Sequence, residues 1–234
     1  MEIDNFLREL KNYHAPLVFN PWSEFDRQHD CGPEAPDIRT ANLQRYLRLR
    51  RYAEYLFVAE GLGYQGGHFS GIAMTSERIL LGHHATVRPE QVLAQWQYRR
   101  TSDPFCPYLN KKQREQGFNE PTATVVWNAL AEQSLPGNKA VLWNIFPFHP
   151  YRPAGLLTNR TPEKKELACG VVYTKMLMTI FPTAKIVAIG QKASATLHAY
   201  GVACSTVPHP SMGGAGRFKQ AVAELLRGNN GREK

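Results

Sequence analysis

Four short apolar runs, separated by stretches with helical periodicity, constrain the fold of this chain more than any other feature. Runs of four to seven apolar residues between polar or glycine-rich segments are typical of buried strands. Strands that alternate with helices indicate a mostly parallel sheet covered on both faces. The sequence therefore predicts an α/β protein with three layers, α/β/α, around a central four-stranded parallel sheet. The strands are expected at Tyr55–Val58, Ala140–Phe146, Ala184–Ile189 and Cys204–Val207.

Helical periodicity recurs between these strands, and one helix has a clear start signal. Thr161 is expected as its N-cap, with Pro162 at the first helical position and Glu163 in the first turn. The whole chain, residues 1–234, is expected to form a single domain, with residues 1–36 as an N-terminal extension and 229–234 as a frayed tail. Helices are expected over residues 2–13, 37–52, 89–99, 119–134, 162–180, 191–200 and 215–227.

Composition narrows the class of protein without deciding it. The 234 residues are 43% hydrophobic, which is enough for one large domain with a substantial core. No run of about 18 apolar residues occurs, and the N-terminus is charged, so neither a membrane span nor a signal peptide is expected and a cytoplasmic location follows. The net charge of +8 favours an anionic partner such as nucleic acid, although ordinary surface solubility explains that charge equally well.

The four cysteines point away from a metal site. Cys31, Cys106, Cys169 and Cys204 are far apart and form no C-x-x-C pair, which zinc and iron–sulfur sites commonly contain. Isolated thiols fit a structural role in a reducing compartment. No metal is therefore expected.

The glycine-rich stretch A-E-G-L-G-Y-Q-G-G-H-F-S-G-I, residues 59–72, resembles a dinucleotide fingerprint because Gly61, Gly63 and Gly66 have the spacing G-x-G-x-x-G. That fingerprint needs a helix opening within the glycines and an acidic residue at the end of a second strand. The residues after Tyr64 are expected to continue as a loop, and no acidic residue follows a convincing strand at the right distance. A dinucleotide site is therefore not expected.

Polar side chains stand at the ends of the predicted strands, where open parallel sheets bind their ligands. Glu60 follows the first strand, Asn144 lies near the end of the second, and His209 follows the fourth between two prolines. Each has an ordinary alternative: Glu60 could cap a helix or pair with an arginine, Asn144 could bond to a neighbouring loop, and His209 could be a surface residue. Their shared position at strand ends predicts a site.

These motifs, in this order, resemble the uracil-DNA glycosylase superfamily. The stretch G-Y-Q-G-G-H-F-S-G-I-A-M-T-S-E follows a degenerate first motif, N-I-F-P-F-H-P-Y-R-P resembles the second, and V-P-H-P-S resembles the last. The nearest pattern is that of bacterial and archaeal members whose first motif reads G-E-A-P-G. The resemblance covers roughly residues 53 to 225 and implies a four-stranded parallel sheet between helices.

The resemblance also implies a role for each candidate residue. Phe69 corresponds to the aromatic platform under a flipped base, and Asn144 to the amide that pairs with the uracil edge. His209 corresponds to the hydrogen-bond donor to the departing base, and Glu60 would hold or activate the attacking water. In the loop after His209, Met212 would wedge into the DNA and Ser211 and Arg217 would contact it.

Departures from the family pattern bear on substrate and cofactor. A-E-G-L-G stands in place of G-E-A-P-G, so Gly61 occupies a position that is Asp or Asn in many relatives. Gly63 replaces a tyrosine that excludes thymine in the strictest members, which leaves room beside the base. Relatives with G-E-A-P-G hold an iron–sulfur cluster, but here Phe148 occupies one ligand position and only Cys169 falls near another. No cofactor is expected.

The main hypothesis is a monomeric, monofunctional DNA glycosylase that removes uracil or a related damaged base from single- or double-stranded DNA. The degenerate first motif keeps open a protein of the same fold that binds DNA without catalysis. A nucleoside or nucleotide hydrolase is the second alternative.

Overall fold

The computed structural model describes residues 2–95 and 97–230, with side chains through residue 228. Four parallel strands form the central sheet, in the order β3-β2-β5-β6, and a short antiparallel pair, β1 and β4, lies apart from it. The predicted four-stranded parallel sheet is therefore confirmed. The strands are β1 (Val18–Phe19), β2 (Tyr55–Gly61), β3 (Ala140–Phe146), β4 (His149–Pro150), β5 (Lys185–Ile189) and β6 (Ser205–Val207).

Helices flank this sheet, as the alternation of patterns predicted. α8 packs on β3, α9 packs on β5 and β2, and α10 packs on α7 and β6. A 3-10 turn at Gly137–Lys139 leads into β3. The helices are α1 (Glu2–Lys11), α2 (Ala35–Leu49), α3 (Gly67–Ser70), α4 (Glu77–Leu80), α5 (Pro89–Leu93), α6 (Lys111–Gln116), α7 (Pro121–Glu132), α8 (Lys164–Ile180), α9 (Gln191–Ala199) and α10 (Ala215–Asn230).

The centre of the sheet is buried, and its strands are apolar on both faces. All seven residues of β3 are buried, and β2 is buried from Tyr55 to Ala59. Strands that carry helices on both faces have this continuous apolar character. Asn144 is the one polar side chain in β3, at its fifth position, so it stands near the carboxyl end of the strand.

Local contacts explain where the element boundaries differ from prediction. β2 continues through Gly61, so Glu60 lies within the strand and not after it. The N-cap of α8 is Glu163 and not Thr161, and the backbone N–H of Glu163 donates to Oε2 of Glu166 at 2.7 Å. The helix predicted over residues 89–99 ends at Leu93, since Ala94 takes a φ of 54°.

Several short elements are absent from the sequence prediction. α3, α4 and α6 have four to six residues, too few for periodicity to show, and β1 and β4 have two each. α3 opens inside the glycine-rich stretch, so the expectation of continuous loop after Tyr64 was wrong. α10 runs to Asn230, so the predicted tail at 229–234 is helical over its first two residues, and residues 231–234 lie outside the described residues.

The N-terminal segment packs into the same core as the rest of the chain. Phe6, Leu7 and Leu10 of α1 are buried, and Phe6 contacts the ring of Trp143 in β3. The Asn20 amide donates hydrogen bonds to the carbonyl oxygens of Leu10 and Tyr13, at 2.7 and 2.9 Å. Within residues 2–95 and 97–230, no helix combines the length and apolar character needed to cross a bilayer.

Candidate active site

A cleft of about 600 Å³ opens beyond the carboxyl ends of β2 and β5. In the sheet, β3 lies on one side of β2, and β5 and β6 lie on its other side. The chain therefore reverses the direction in which it adds strands, and the point of reversal lies between β2 and β5. Open parallel sheets bind ligands in the crevice at such a reversal. Residues from several parts of the chain line the cleft, among them Glu60, Met74, Glu120, Asn144, Asn159 and His209.

Glu60, Asn144 and His209 meet at this cleft, although 149 positions separate the first from the last. The parallel pairing of β2 with β3 sets Ala59 opposite Asn144. The Asn144 amide is almost fully buried, and its Nδ2 donates a hydrogen bond to the Gly61 carbonyl oxygen at 3.0 Å. This bond satisfies one amide hydrogen and orients the side chain, leaving the second hydrogen and Oδ1 as its remaining polar groups.

The His209 ring is held in one tautomer by its own loop. The backbone N–H of Ser211 donates to Nδ1 at 3.1 Å, and the Ser211 hydroxyl lies 2.8 Å from the same nitrogen. Because Nδ1 accepts from the backbone, the neutral ring carries its proton on Nε2. Burial of the ring lowers the pKa of His209, so the neutral form with its Nε2–H donor predominates at neutral pH.

Backbone geometry behind His209 supports its position. Gly190, between β5 and α9, has a φ of 89°, and a Cβ built on it would lie 3.2 Å from the His209 Cβ. The glycine therefore allows the turn after β5 to lie directly against the histidine. Pro208 and Pro210 fix the backbone on either side of it.

The glycine-rich stretch serves packing inside the protein. A Cβ on Gly61 would lie 2.7 Å from Cγ of Pro162, and one on Gly66 would lie 2.0 Å from Oε2 of Glu120. Real side chains do not approach so closely. These glycines admit neighbouring side chains, and α3 begins among them without forming a dinucleotide fingerprint.

Gly63, in contrast, has space beside it. A Cβ there would meet the Asn159 amide at an ordinary contact distance of 3.6 Å. Oδ1 of Asn159 accepts a hydrogen bond from the backbone N–H of Tyr64 at 3.0 Å, which holds the amide next to the glycine. The room expected at Gly63 is therefore bounded by Asn159.

Phe69 lies outside the described lining of the cleft. Its side chain is fully buried and stacks on Phe118, with ring centroids 4.2 Å apart and planes 9° from parallel. The His68 ring lies against it, with the two ring centroids 4.4 Å apart. Phe69 packs in a small buried cluster with Cys106 and Leu109, and its role as a base platform stays a prediction.

The loop between β6 and α10 contributes two of its three expected DNA contacts to the cleft rim. Ser211 and Met212 line the cleft, and Met212 is fully exposed with a φ of 52°. An apolar side chain held in full exposure on a left-handed backbone is unusual and marks a candidate for contact with a partner. Arg217 is exposed on α10 and is not among the described residues lining the cleft.

Sequence reasoning missed several residues that the structure brings to the cleft. Glu120 comes from the segment before α7, Arg152 and Asn159 from the loop after β4, and Lys192 from the start of α9. Lys192 could have been predicted from its position, since it follows Gly190 and Gln191 at the carboxyl end of β5, where parallel sheets bind ligands. Glu120, Arg152 and Asn159 lie on irregular segments, where no period marks them.

The residues present do not fit an iron–sulfur cluster. Phe148 is buried and stacks on Tyr13 with ring centroids 4.1 Å apart, and Tyr173 lies edge-on to it. Cys169 is a free, partly buried thiol whose pKa burial raises, the reverse of what thiolate ligation requires. Among the residues described, no group of three or more His, Cys, Asp and Glu side chains is arranged to hold a metal ion.

Comparison with known proteins identifies the fold. Neither a protein-family model nor a curated protein sequence matches the chain. Among solved structures, the chain is similar to wild-type SMUG2 of Pedobacter heparinus, a member of the uracil-DNA glycosylase superfamily, with a TM-score of 0.61 and 98% of each chain covered. The two sequences are 12% identical, so the likeness concerns the fold. The chain therefore has the uracil-DNA glycosylase-like fold.

Proposed function

We propose that this protein is a DNA glycosylase that hydrolyses the N-glycosidic bond of uracil or a related damaged base. The observation that carries the proposal is the meeting of Glu60, Asn144 and His209 in one cleft at the strand reversal of this sheet. The similarity in fold to SMUG2 agrees with it. DNA is the proposed partner, and action as a monomer stays a prediction.

The chemistry requires a flipped base, a stabilised leaving group and an activated water. A base must leave the stack before its glycosidic bond can be reached. Nε2–H of His209 is available to donate to the departing base, which gains negative charge as the bond breaks. The Asn144 amide, oriented by Gly61, offers a donor and an acceptor to the base edge. Glu60 is assigned two roles: it holds or activates the attacking water, and its negative charge stabilises the cationic sugar of the transition state.

Cations at the rim suit the phosphates that flank a flipped nucleotide. Arg152 and Lys192 line the cleft, whereas the guanidinium of Arg160 is bound by both carboxylate oxygens of Glu166. Arg152 and Lys192 are therefore the cleft cations best placed to contact the backbone of DNA. Ser211 and Met212 are proposed to enter the duplex beside them, and Arg217 to contact a more distant phosphate.

Base release from defined DNA tests the proposal. Duplexes with one U·G or U·A pair, and matched duplexes with hypoxanthine, xanthine or 5-hydroxymethyluracil, would be incubated with the protein and treated with alkali to cleave abasic sites. We expect cleavage at one or more of these bases. His209→Ala and Glu60→Gln should each lower the single-turnover rate by about a hundredfold or more, because each removes a group that acts in the transition state.

The control is His198→Ala, a change to an exposed histidine on α9 outside the cleft, which should keep the wild-type rate. No release from any of the bases, with salt-sensitive DNA binding retained, would favour the non-catalytic DNA-binding alternative. Hydrolysis of free nucleosides without release from DNA would favour the small-molecule hydrolase. Full activity in both cleft variants would refute the assignment of residues.

A further inference from the structure

Glu120 is a cleft residue for which the proposed mechanism has no use. It directly precedes α7 and lines the same cleft as Glu60, Asn144 and His209. Its Oε2 is buried and has no hydrogen-bond partner among the described residues. Buried polar atoms are almost always paired, so an unpaired carboxyl oxygen beside a cleft is a candidate contact for a bound ligand.

The usual structural roles of an acidic residue at this place do not apply. Glu120 is the N-cap of α7, yet its side chain accepts no hydrogen bond from the first turn of the helix. The ion pairs found within residues 2–95 and 97–230 do not include it. Neither helix capping nor charge pairing explains why a carboxyl stands here.

The glycine-rich stretch makes the space that this carboxyl occupies. A Cβ on Gly66 would lie 2.0 Å from Oε2 and 2.7 Å from Cδ of Glu120. The absence of a side chain at Gly66 therefore serves the position of the Glu120 carboxyl.

Burial leaves about half of the Glu120 carboxyl protonated at pH 7, and a larger fraction at lower pH. Burial raises the pKa of Glu120 to about 7, and no neighbouring charge contributes to the shift. The charged or titratable side chains that share the cleft with it are Glu60, Arg152, Arg160, Lys192 and His209. A protonated carboxyl donates a hydrogen bond, whereas a carboxylate only accepts.

We propose that Glu120 contacts the flipped base directly, donating a hydrogen bond from its carboxyl to a carbonyl oxygen of that base. This inference rests on the proposed glycosylase function and extends it. Deaminated bases carry a carbonyl oxygen where the parent base carries an amino group, so they present the acceptor that this donor needs. The bond strengthens as the base departs with negative charge, which makes it a contact to the reacting group.

The pH dependence of base release separates this role from a structural one. Single-turnover rates would be measured from pH 5.5 to 9 for the wild type, Glu120→Gln and Glu120→Ala, on whichever base the wild type releases. Because the donor is the protonated form, the wild-type rate should fall as pH rises through about 7. Glu120→Gln keeps an uncharged donor and should lose that fall, whereas Glu120→Ala should be slower by about tenfold to a hundredfold at pH 6.5. Glu132→Gln, at the exposed far end of α7, is the matched control and should keep the wild-type profile.

A second variant acts on Glu120 without changing it. In Gly66→Ala the new Cβ must displace the carboxyl, which is the movable end of a side chain, so the fold should survive. We expect a loss of rate similar to that of Glu120→Ala, and no additional loss in the double variant Gly66→Ala/Glu120→Ala. Additive losses would show that the two residues act separately and would contradict the inference.

The inference and the proposed function fail in different ways. If the wild type releases no base from any DNA, the proposed function fails. If the wild type is active and folded Glu120→Ala has the same rate and the same pH profile, only the role of Glu120 is overturned. The role of Glu120 would also be overturned if the rate of Glu120→Gln fell with rising pH as the wild-type rate does.

Discussion

At the scale of single residues, Gly61 of the first motif packs against the ring of Pro162. The Pro162 ring fills the space that an Asp or Asn side chain at position 61 would enter. Pro162 in turn lines the cleft just before the N-cap of α8. The space beside Gly61 is thus filled by a proline that lies 101 positions later in the chain. In this chain Glu60 alone supplies a carboxylate from the first motif.

The contact between Gly61 and Pro162 predicts the effect of a polar side chain at position 61. Gly61→Asn should lower the free energy of unfolding by about 1–3 kcal/mol, because its Cβ would overlap a rigid ring. It should not raise the rate of base release. Urea unfolding and single-turnover rates would measure both effects.

The control variant is Pro162→Ala combined with Gly61→Asn. Removing the ring should make the double variant more stable than the sum of the two single changes predicts. If the changes in the free energy of unfolding are strictly additive, the contact with Pro162 does not determine residue 61. The same conclusion follows if Gly61→Asn releases base faster than the wild type and is equally stable.

At the scale of elements, the loop between β6 and α10 combines a rigid base with an exposed tip. The base is fixed by Pro208, Pro210 and the Ser211 bonds to His209. A Cβ on Gly214 would lie 2.3 Å from the His209 carbonyl oxygen, so the loop closes tightly on the histidine. Met212 projects from this turn into solvent. One loop therefore positions both the proposed leaving-group donor and the proposed wedge.

Shortening the wedge should affect duplex DNA more than single strands. Met212→Ala should release base from a duplex about tenfold more slowly, because the apolar contact that fills the vacated stack is lost. Rates on single-stranded DNA should stay near the wild type, since no stack has to be opened.

Met212→Leu, which keeps an apolar side chain of similar size, is the control and should retain most of the duplex rate. An equal loss on both substrates in Met212→Ala would point to a disturbed His209 and not to a wedge.

At the scale of the whole molecule, a buried polar cluster joins the N-terminal segment to the site region. Nδ1 of His29 lies 2.8 Å from the Asp26 carboxylate, and Nε2 of His68 lies 3.4 Å from the same oxygen. Nδ1 of His68 and Nδ1 of His149 are 2.9 Å apart, and Nε2 of His149 donates to the Thr158 carbonyl oxygen at 2.7 Å. Residues from the N-terminal segment, α3 and β4 therefore share one interior network.

This network predicts how stability depends on pH. Burial lowers the pKa of His68 to about 4 and that of His149 to about 3, below the ordinary value of 6.5. Between pH 6.5 and about 4 the unfolded chain binds more protons at these residues than the folded protein does. The free energy of unfolding should therefore fall by a few kcal/mol as pH drops through this range.

Urea unfolding of the wild type and of His149→Gln across pH 4 to 7 would measure this dependence. The raised pKa of Glu120 acts in the opposite direction over an overlapping range, so the difference between the two proteins is the informative quantity. His149→Gln should show a shallower slope than the wild type. Parallel slopes would exclude His149 as a contributor.

Much of the architecture follows from the sequence because it depends on local pattern. β3 begins and ends at the predicted residues, and β5 and β6 differ from prediction by one residue at their starts. Position at the carboxyl ends of the predicted strands selects Glu60, Asn144 and His209, and all three line the cleft. Parallel strands bring their carboxyl ends to one edge of the sheet, so the sequence alone predicts that residues far apart in the chain lie close together there.

Contacts between irregular segments decide the rest, and neither period nor strand-end position encodes them. Phe69 matches the family's base platform in sequence, and in the structure its ring stacks on Phe118, a contact that the sequence does not predict. Glu120 carries no signature, yet Gly66 admits its carboxyl to the cleft wall. The identity of the strands and their polar ends is a local property that can be read along the chain. Which side chains face the cleft is settled by close packing between distant segments, and that packing exists only in the folded molecule.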